Sequence, residues 1–481
     1  MNVLLSLLQK SPDYMQLLQA VEAKQAAAVS GLSQAPRSHV LAALHEHSGR
    51  PLVAVCQDDL AASRLASELG AFLGEQPPVL PSRELTLAGA IGVSRQWEQK
   101  RLRLLYALAQ GQVPVLVTSL DALLLRTMPR EVLFSASVRL RCGAEYNVDD
   151  LVARLTRAGY TRASLVEGVG QFALRGGILD VYSPACENPL RAEFFGDELD
   201  TMGYFDPITQ RRTENVEEAV LLPVAETEAH LHPQGTAGLC EDLRAIIARQ
   251  QRRKTPNQAL IDTLQKDCEA LENETLFASA DRYMALIYPE FTTAAAYLSQ
   301  EAVVAFCDHG NLQRAEKEKA EEFGLLLDSF LTSGTLFGEL CDYYGSIEDL
   351  AAQLRGRAVV YCDGFLAARY PESLPPKKLL SFTARQLPGY GGSLETAASD
   401  LKNYAANQYG SIVLCGGQRR GEILKDLLAQ NGLNALLAFP LTKLPQPGQI
   451  LLAPGSLPAG LEYPTLKFAI LTEGQIAVRQ E

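Results

Sequence analysis

The chain is predicted to be a multidomain α/β protein. It comprises a parallel-sheet domain interrupted by an inserted α+β unit, then a small α/β domain. Three observations predict this. A chain of 481 residues exceeds what one hydrophobic core supports, since cores stop growing near about 250–300 residues. Short apolar runs, PLVAVCQ (51–57), VPVLVTS (113–119), AVVAFCD (302–308) and RAVVYCD (357–363), are interleaved with amphipathic helical stretches. That is the pattern of buried parallel strands with helices on both faces. Between the second and third runs lies a turn-punctuated antiparallel pattern, densest from Gln171 to Arg211.

In chain order, residues 1 to about 28 are expected to be helical, with apolar side chains spaced at three and four residues. AAVSGLSQAPRSHVLAALHEHSG follows, where a strand could run into a turn and then a helix. DLAASRLASELGAFLG and VSRQWEQKRLRLLYALAQG read as amphipathic helices, the second closing at Gly111, and LDALLLR as a short one. From about residue 128, VRLRCGAEY is a strand and NVDDLVARLTRAGY a helix capped by Asn147 and closed by Gly159. FALRGGILDVYSP is expected to be one strand, with a bulge or close backbone approach at Gly176-Gly177. LRAEFF returns, MGYF makes a third strand, a turn opens at Asp206-Pro207, and NVEEAVLLPVAE closes the unit. Period-two geometry sends Phe194 and Phe195 to opposite faces. Residues 223–385 are mostly helical (GLCEDLRAIIARQ, NQALIDTLQKDCEALE, ADRYMALIYPE), and their two strands return to the first sheet. After a linker, LPGYGGS (387–393), the last unit alternates helices with the strands SIVLCGG, NALLAF, QILLAP and KFAILTE. Gly416-Gly417 before its second helix reads as structural. The predicted domains are therefore 1–127 with 223–385, 128–222, and 386–481.

A hydrophobic content of 47%, a charged content of 21% and a net charge of −12 describe a globular chain, not one whose whole surface grips DNA. The basic cluster Arg249, Arg252, Arg253 and Lys254 is flanked by acidic residues and reads as a solvated helix face; duplex binding through it is the third-ranked function. The N-terminal apolar run VLLSLL is too short for a membrane span and lacks a basic flank, so a cytoplasmic protein without membrane contact is expected. Nine scattered cysteines form no C-x-x-C pair. Neither a disulfide framework nor a metal site is expected, and Cys307-Asp308-His309 and the His45/His47 pair read as ordinary surface or core residues.

The turn after the first expected strand stands where a phosphate loop would be. Gly31 opens it, but Pro36 replaces the second glycine and Arg37 the lysine, leaving only Ser38. Proline has no N–H and cannot take positive φ, and a guanidinium is not a compact ammonium. The second motor motif is also incomplete: Asp363 is followed by Gly364 rather than glutamate. The sheet domain thus reads as a degenerate RecA/P-loop-like domain that binds no ATP, and no cofactor or catalytic set is expected.

The run Phe172-Ala-Leu-Arg175-Gly176-Gly177-Ile-Leu-Asp180-Val-Tyr182, then Pro189-Leu-Arg191-Ala-Glu193-Phe194-Phe195-Gly196-Asp197-Glu198-Leu-Asp200, then Phe205-Asp206-Pro207-Ile-Thr-Gln210-Arg211, resembles the module shared by UvrB and the transcription-repair coupling factors. Three departures favour the amino-terminal region of the coupling factors: the ruined phosphate loop, a tyrosine-free stretch where UvrB carries its Tyr-rich hairpin, and a small α/β unit after the sheet domain. The resemblance implies a UvrA-recruiting module in transcription-coupled nucleotide excision repair, with Arg175, Arg191 and Phe195 as the contact residues. Interface use of both arginines is favoured over pairing with Asp180, Glu193 or Asp197 within their own sheet. In that family an ATP-dependent translocase motor, RNA polymerase contacts and duplex DNA contacts belong to parts beyond residues 1–481, and a carboxy-terminal domain can mask the UvrA face. The alternative is a UvrB-like ATPase and damage-binding protein with a divergent phosphate loop.

Overall fold

The computed structural model describes residues 2–32, 34–88, 96–275, 277, 280–390 and 392–476. The first sheet starts with β1 (Ala26–Ser30), β2 (Leu52–Cys56), β3 (Val79–Leu80) and β4 (Val115–Ser119). The chain leaves it for an inserted unit. That unit contains β5 (Val138–Arg141), β6 (Thr161–Arg162), β7 (Gln171–Arg175), β8 (Ile178–Val181), β9 (Leu190–Phe195), β10 (Glu198–Phe205), β11 (Arg212–Asn215) and β12 (Glu218–Leu221). It then returns as β13 (Val303–Cys307), β14 (Ala358–Cys362) and β15 (Lys378–Ser381). The completed sheet is parallel in the order β15-β1-β14-β13-β2-β4-β3. Every residue of β2, β4, β13 and β14 is buried, which is why these strands are near-continuous apolar runs instead of alternating, with Thr118 and Ser119 at the end of β4 as buried polar exceptions. The two late apolar runs do rejoin the first sheet. Two of the helices between strands start on side-chain caps: Asp58 accepts from the Ala61 N–H and Ser119 from the Ala122 N–H.

Two local expectations fail. The N-terminal helix ends at Glu22, the chain turns at Lys24 (φ 52°), and Ala26–Ser30 is a strand between β14 and β15. Alanine's helix preference is a weak prior, and burial in a sheet centre overrides it. ADRYMALIYPE forms only a 3₁₀ turn (Ala280–Tyr283) and one helical turn (Met284–Ile287) before Pro289. The expected start of the helix at 93–95 lies outside the described residues, as does Gly391 of the linker; that helix is described over Gln96–Ala109.

The inserted sheet runs β11-β10-β9-β8-β7-β6, with β5 and β12 paired separately. Leu151 and Leu155 of the helix Val148–Arg157 share a core with Phe172, Leu179, Leu190, Ala192 and Leu199, which covers one face. The stretch expected as a single strand is a hairpin instead. Gly176 (φ 61°) makes the turn between β7 and β8. A Cβ on Gly177 would lie 2.6 Å from the Phe194 carbonyl oxygen, so the expected close approach is real, but it is made at a turn.

Where the chain crosses between sheet domain and insert, a buried ionic clamp holds both crossings. The Glu226 carboxylate and the Arg101 guanidinium are both fully buried and meet at 2.9 and 3.0 Å. Thr127 donates its hydroxyl to the same carboxylate, and Arg83 pairs with Asp281 beside it.

The last unit holds β16 (Arg385–Gln386), β17 (Gly410–Cys415), β18 (Ala435–Leu437), β19 (Ile450–Pro454), β20 (Leu461–Tyr463) and β21 (Phe468–Thr472), ordered β16-β20-β21-β17-β19-β18. Its Phe468, Ile470 and Tyr463 share a buried apolar cluster with Leu4, Val40 and Leu44 of the first unit. The Gly416 N–H donates to the Glu473 carboxylate at 3.0 Å.

Candidate partner-binding site

The uncovered face of the inserted sheet carries the three residues singled out from sequence. Along β9, Leu190, Ala192 and Phe194 turn to the core, while Arg191, Glu193 and Phe195 turn outward. Phe195 is 86% exposed at the head of the β9–β10 turn. Exposed aromatic side chains of this size are anchor material for partners rather than folding devices.

Arg175 and Arg191 do not lie on adjacent strands, as the single-strand reading required. β8 runs between them and places Asp180 opposite Arg191. Asp180 is 1% exposed and accepts from both arginines: from Arg191 Nε at 2.7 Å and Nη2 at 2.9 Å, and from Arg175 Nη2 at 2.9 Å. Pairing within the sheet, disfavoured from sequence, therefore occurs at both arginines. The two nonetheless differ. Arg191 lies over the Phe205 ring at 4.4 Å, also donates to Gln210 Oε1 at 3.2 Å, and its side chain is only 18% exposed. Arg175 spends one N–H on Asp180 and remains 51% exposed, so most of its fork faces outward. Replacing Arg191 with alanine is expected to destabilise the insert by about 1–3 kcal/mol, because buried Asp180 loses its main partner. Arg175→Ala should stay within about 0.5 kcal/mol. Urea unfolding followed by circular dichroism measures both.

The surroundings complete the face. Arg212 pairs with Glu193 at 2.6 Å and lies over Gly203, where a Cβ would come within 2.9 Å of its side chain. Ile178, opposite Arg175 on β8, is 37% exposed, and Ile208 in the turn after β10 is 91% exposed. Neither Asp180's bridging role nor Ile208 was picked out from sequence. The first depends on the hairpin turn. The second had a usable signal, an isoleucine inside the turn FDPITQR.

At the loop resembling a phosphate loop, three of the described backbone donors are already engaged. The N–H groups of Gly31 and Leu32 donate to the carbonyls of Gly364 and Asp363, both at 3.0 Å, and the Ala35 N–H faces Gln386 Oε1 at 3.3 Å; Ser33 lies outside the described residues. Gly31 is needed for a different reason: a Cβ there would lie 2.0 Å from the Phe382 carbonyl oxygen. Ser38 is buried and donates to the Ala35 carbonyl at 3.0 Å. Arg37 pairs at 2.6 Å with Asp308, not with Asp363, whose carboxylate takes the His309 N–H and the Tyr370 hydroxyl. The acid facing the loop is thus Asp308 at the end of β13, not Asp363 at the end of β14.

Arg249 of the basic cluster pairs with Glu339 at 3.2 Å and lies over Phe337. Among the described residues one trio, Cys240, Cys268 and Glu272, has its ligand-type atoms within 4.8 Å of one another. Glu272 is held by Arg244, and burial, with hydrogen bonding to Cys268, pushes the Cys240 thiol up to about 11. No helix among the described residues is long and apolar enough to cross a membrane.

Residues 138–226 match the family described as UvrB interaction domain. The chain is 23% identical over 486 residues to the transcription-repair-coupling factor of Bacillus subtilis (strain 168), covering 99% of this chain and 40% of that protein. It is 25% identical over 484 residues to that of Staphylococcus aureus (strain USA300), with the same shares. Its match to the Myxococcus xanthus protein of that name is 38% over 221 residues, covering 44% of this chain and 18% of the relative. The chain thus spans about 40% of the length of the first two relatives. Residues 138–226 are thus similar to a UvrB interaction domain, and 99% of the chain aligns with transcription-repair coupling factors at 23–25% identity.

Proposed function

We propose that this chain recruits UvrA through the outer face of its inserted sheet, as the non-catalytic N-terminal module of a cytoplasmic transcription-repair coupling factor. One observation carries the reading: an exposed phenylalanine, Phe195, shares the outer face of the inserted sheet with arginines preset by a buried aspartate, on a segment matching the UvrB interaction domain. Arg175 offers a forked donor suited to carboxylates, and Phe195 a rigid apolar anchor, the two residue classes that dominate interface hot spots. ATP-driven translocation and contacts with RNA polymerase and duplex DNA are assigned to the portions of the relatives that this chain does not span.

The non-catalytic part is supported by the occupied loop amides, by Pro36, and by the Arg37–Asp308 pair. Equilibrium titration of the purified chain with UvrA tests the recruitment: saturable binding is expected, weakened about tenfold or more by Arg175→Ala. Absence of binding, or no effect of either Arg175→Ala or Phe195→Ala, overturns the assigned face. In a parallel assay ATP turnover should stay at the buffer blank; turnover abolished by Ser38→Ala would support the enzyme reading instead.

A further inference from the structure

We infer that Ile208 is a second apolar anchor of the same docking face, so that the partner is gripped at both ends of the arginine cluster. The inference rests on the recruitment reading above. Ile208 is 91% exposed, and a well-made turn holds it there. The Asp206 carboxylate accepts from the Ile208 and Thr209 N–H groups, both at 2.8 Å. The Asp206 N–H donates to the Arg211 carbonyl at 2.9 Å, and the Gln210 N–H to the Asp206 carbonyl at 2.8 Å. Gln210 takes the left-handed conformation (φ 59°), and its side-chain amide donates to the Pro207 carbonyl at 2.7 Å. So many bonds in one short turn fix its shape, and a side chain displayed on a fixed turn loses little freedom on binding.

The turn is also wired to the arginines, because Gln210 Oε1 accepts from Arg191 Nη2 at 3.2 Å. Arg191 and its turn therefore stand at one end of β9 and Phe195 at the other, about 13 Å apart by strand rise. Between them lie the Arg175 fork, the Asp180 bridge and the Glu193–Arg212 pair. The complementary surface on the partner is accordingly an acidic strip facing Arg175, flanked by two apolar recesses, one sized for phenylalanine and one for isoleucine. Charged centre and apolar ends together give register as well as affinity.

The experiment titrates UvrA with the full chain and with Ile208→Ala, Ile208→Val, Phe195→Ala and Arg175→Ala, at low and high salt, with thermal melts of each. Ile208→Ala is expected to weaken binding about tenfold at both salt concentrations, without a change in melting. Arg175→Ala should matter less at high salt, where its ionic contribution is screened. Ile208→Val, which keeps the turn and most of the apolar surface, should stay within about threefold, a fraction of the alanine loss. If Phe195→Ala weakens binding and Ile208→Ala does not, the second anchor is wrong while recruitment stands. If valine is as damaging as alanine, turn shape rather than contact explains the loss, and the anchor assignment falls. If the unsubstituted chain does not bind UvrA, or neither Phe195→Ala nor Arg175→Ala weakens it, the recruitment reading fails and takes this inference with it.

Discussion

Replacing Glu226 with alanine is expected to lower the unfolding free energy by about 3–5 kcal/mol, because it strands a buried charge. The Arg101 guanidinium is 0% exposed and would keep, among the described residues, only the Pro81 carbonyl as an acceptor. Glu226 also takes the Thr127 hydroxyl. One carboxylate therefore ties together the exit of the chain into the insert and its return. Burial alone would push this carboxyl up, but Arg101 and Arg83 outweigh it and hold Glu226 at about 2, against an ordinary 4.5. A depressed folded-state value stabilises above the unfolded one, and the contribution is lost as pH falls through the folded value. The difference between the unsubstituted protein and Glu226→Ala should thus be full at neutral pH and shrink from about pH 4.5 towards about 2. Urea unfolding at several pH values measures it. A gap that is flat over that window would show that the clamp is not ionic.

Replacing Phe195 with alanine is expected to weaken UvrA binding about 30-fold or more, the loss of a central anchor of about 2 kcal/mol. The change should leave folding within about 0.5 kcal/mol, since the ring is 86% exposed and Phe194, not Phe195, supports the core. This separation of binding from stability sets Phe195 apart from Arg191. Arg191 sits between the Asp180 carboxylate and the Phe205 ring and should lose both when truncated. Alanine substitutions at the two positions therefore report different things, although both stand in the same motif.

Much of this was legible in the residues. Buried parallel strands announce themselves because both faces need apolar side chains, so the runs at 302–308 and 357–363 could be returned to the first sheet across the insert. Phe194 and Phe195 could be sent to opposite faces by strand geometry alone. The site's inner wiring was less accessible. Asp180 reaches both arginines only because Gly176 takes positive φ and folds one expected strand into a hairpin; a glycine pair is equally compatible with a bulge. Arg37 and Asp308 are 271 residues apart, and no local pattern links them. The alanines of β1 carry a helical preference that only the neighbouring strands overrule.

The central claim, that UvrA docks on the outer face of the inserted sheet, is tested most directly by a photo-crosslink. Benzoylphenylalanine is placed at position 195, or at Phe365 as a control that is equally aromatic and 93% exposed in another part of the chain. Light in the presence of UvrA should give a covalent adduct from position 195 and none from position 365. No adduct from 195, or equal adducts from both, would contradict the account.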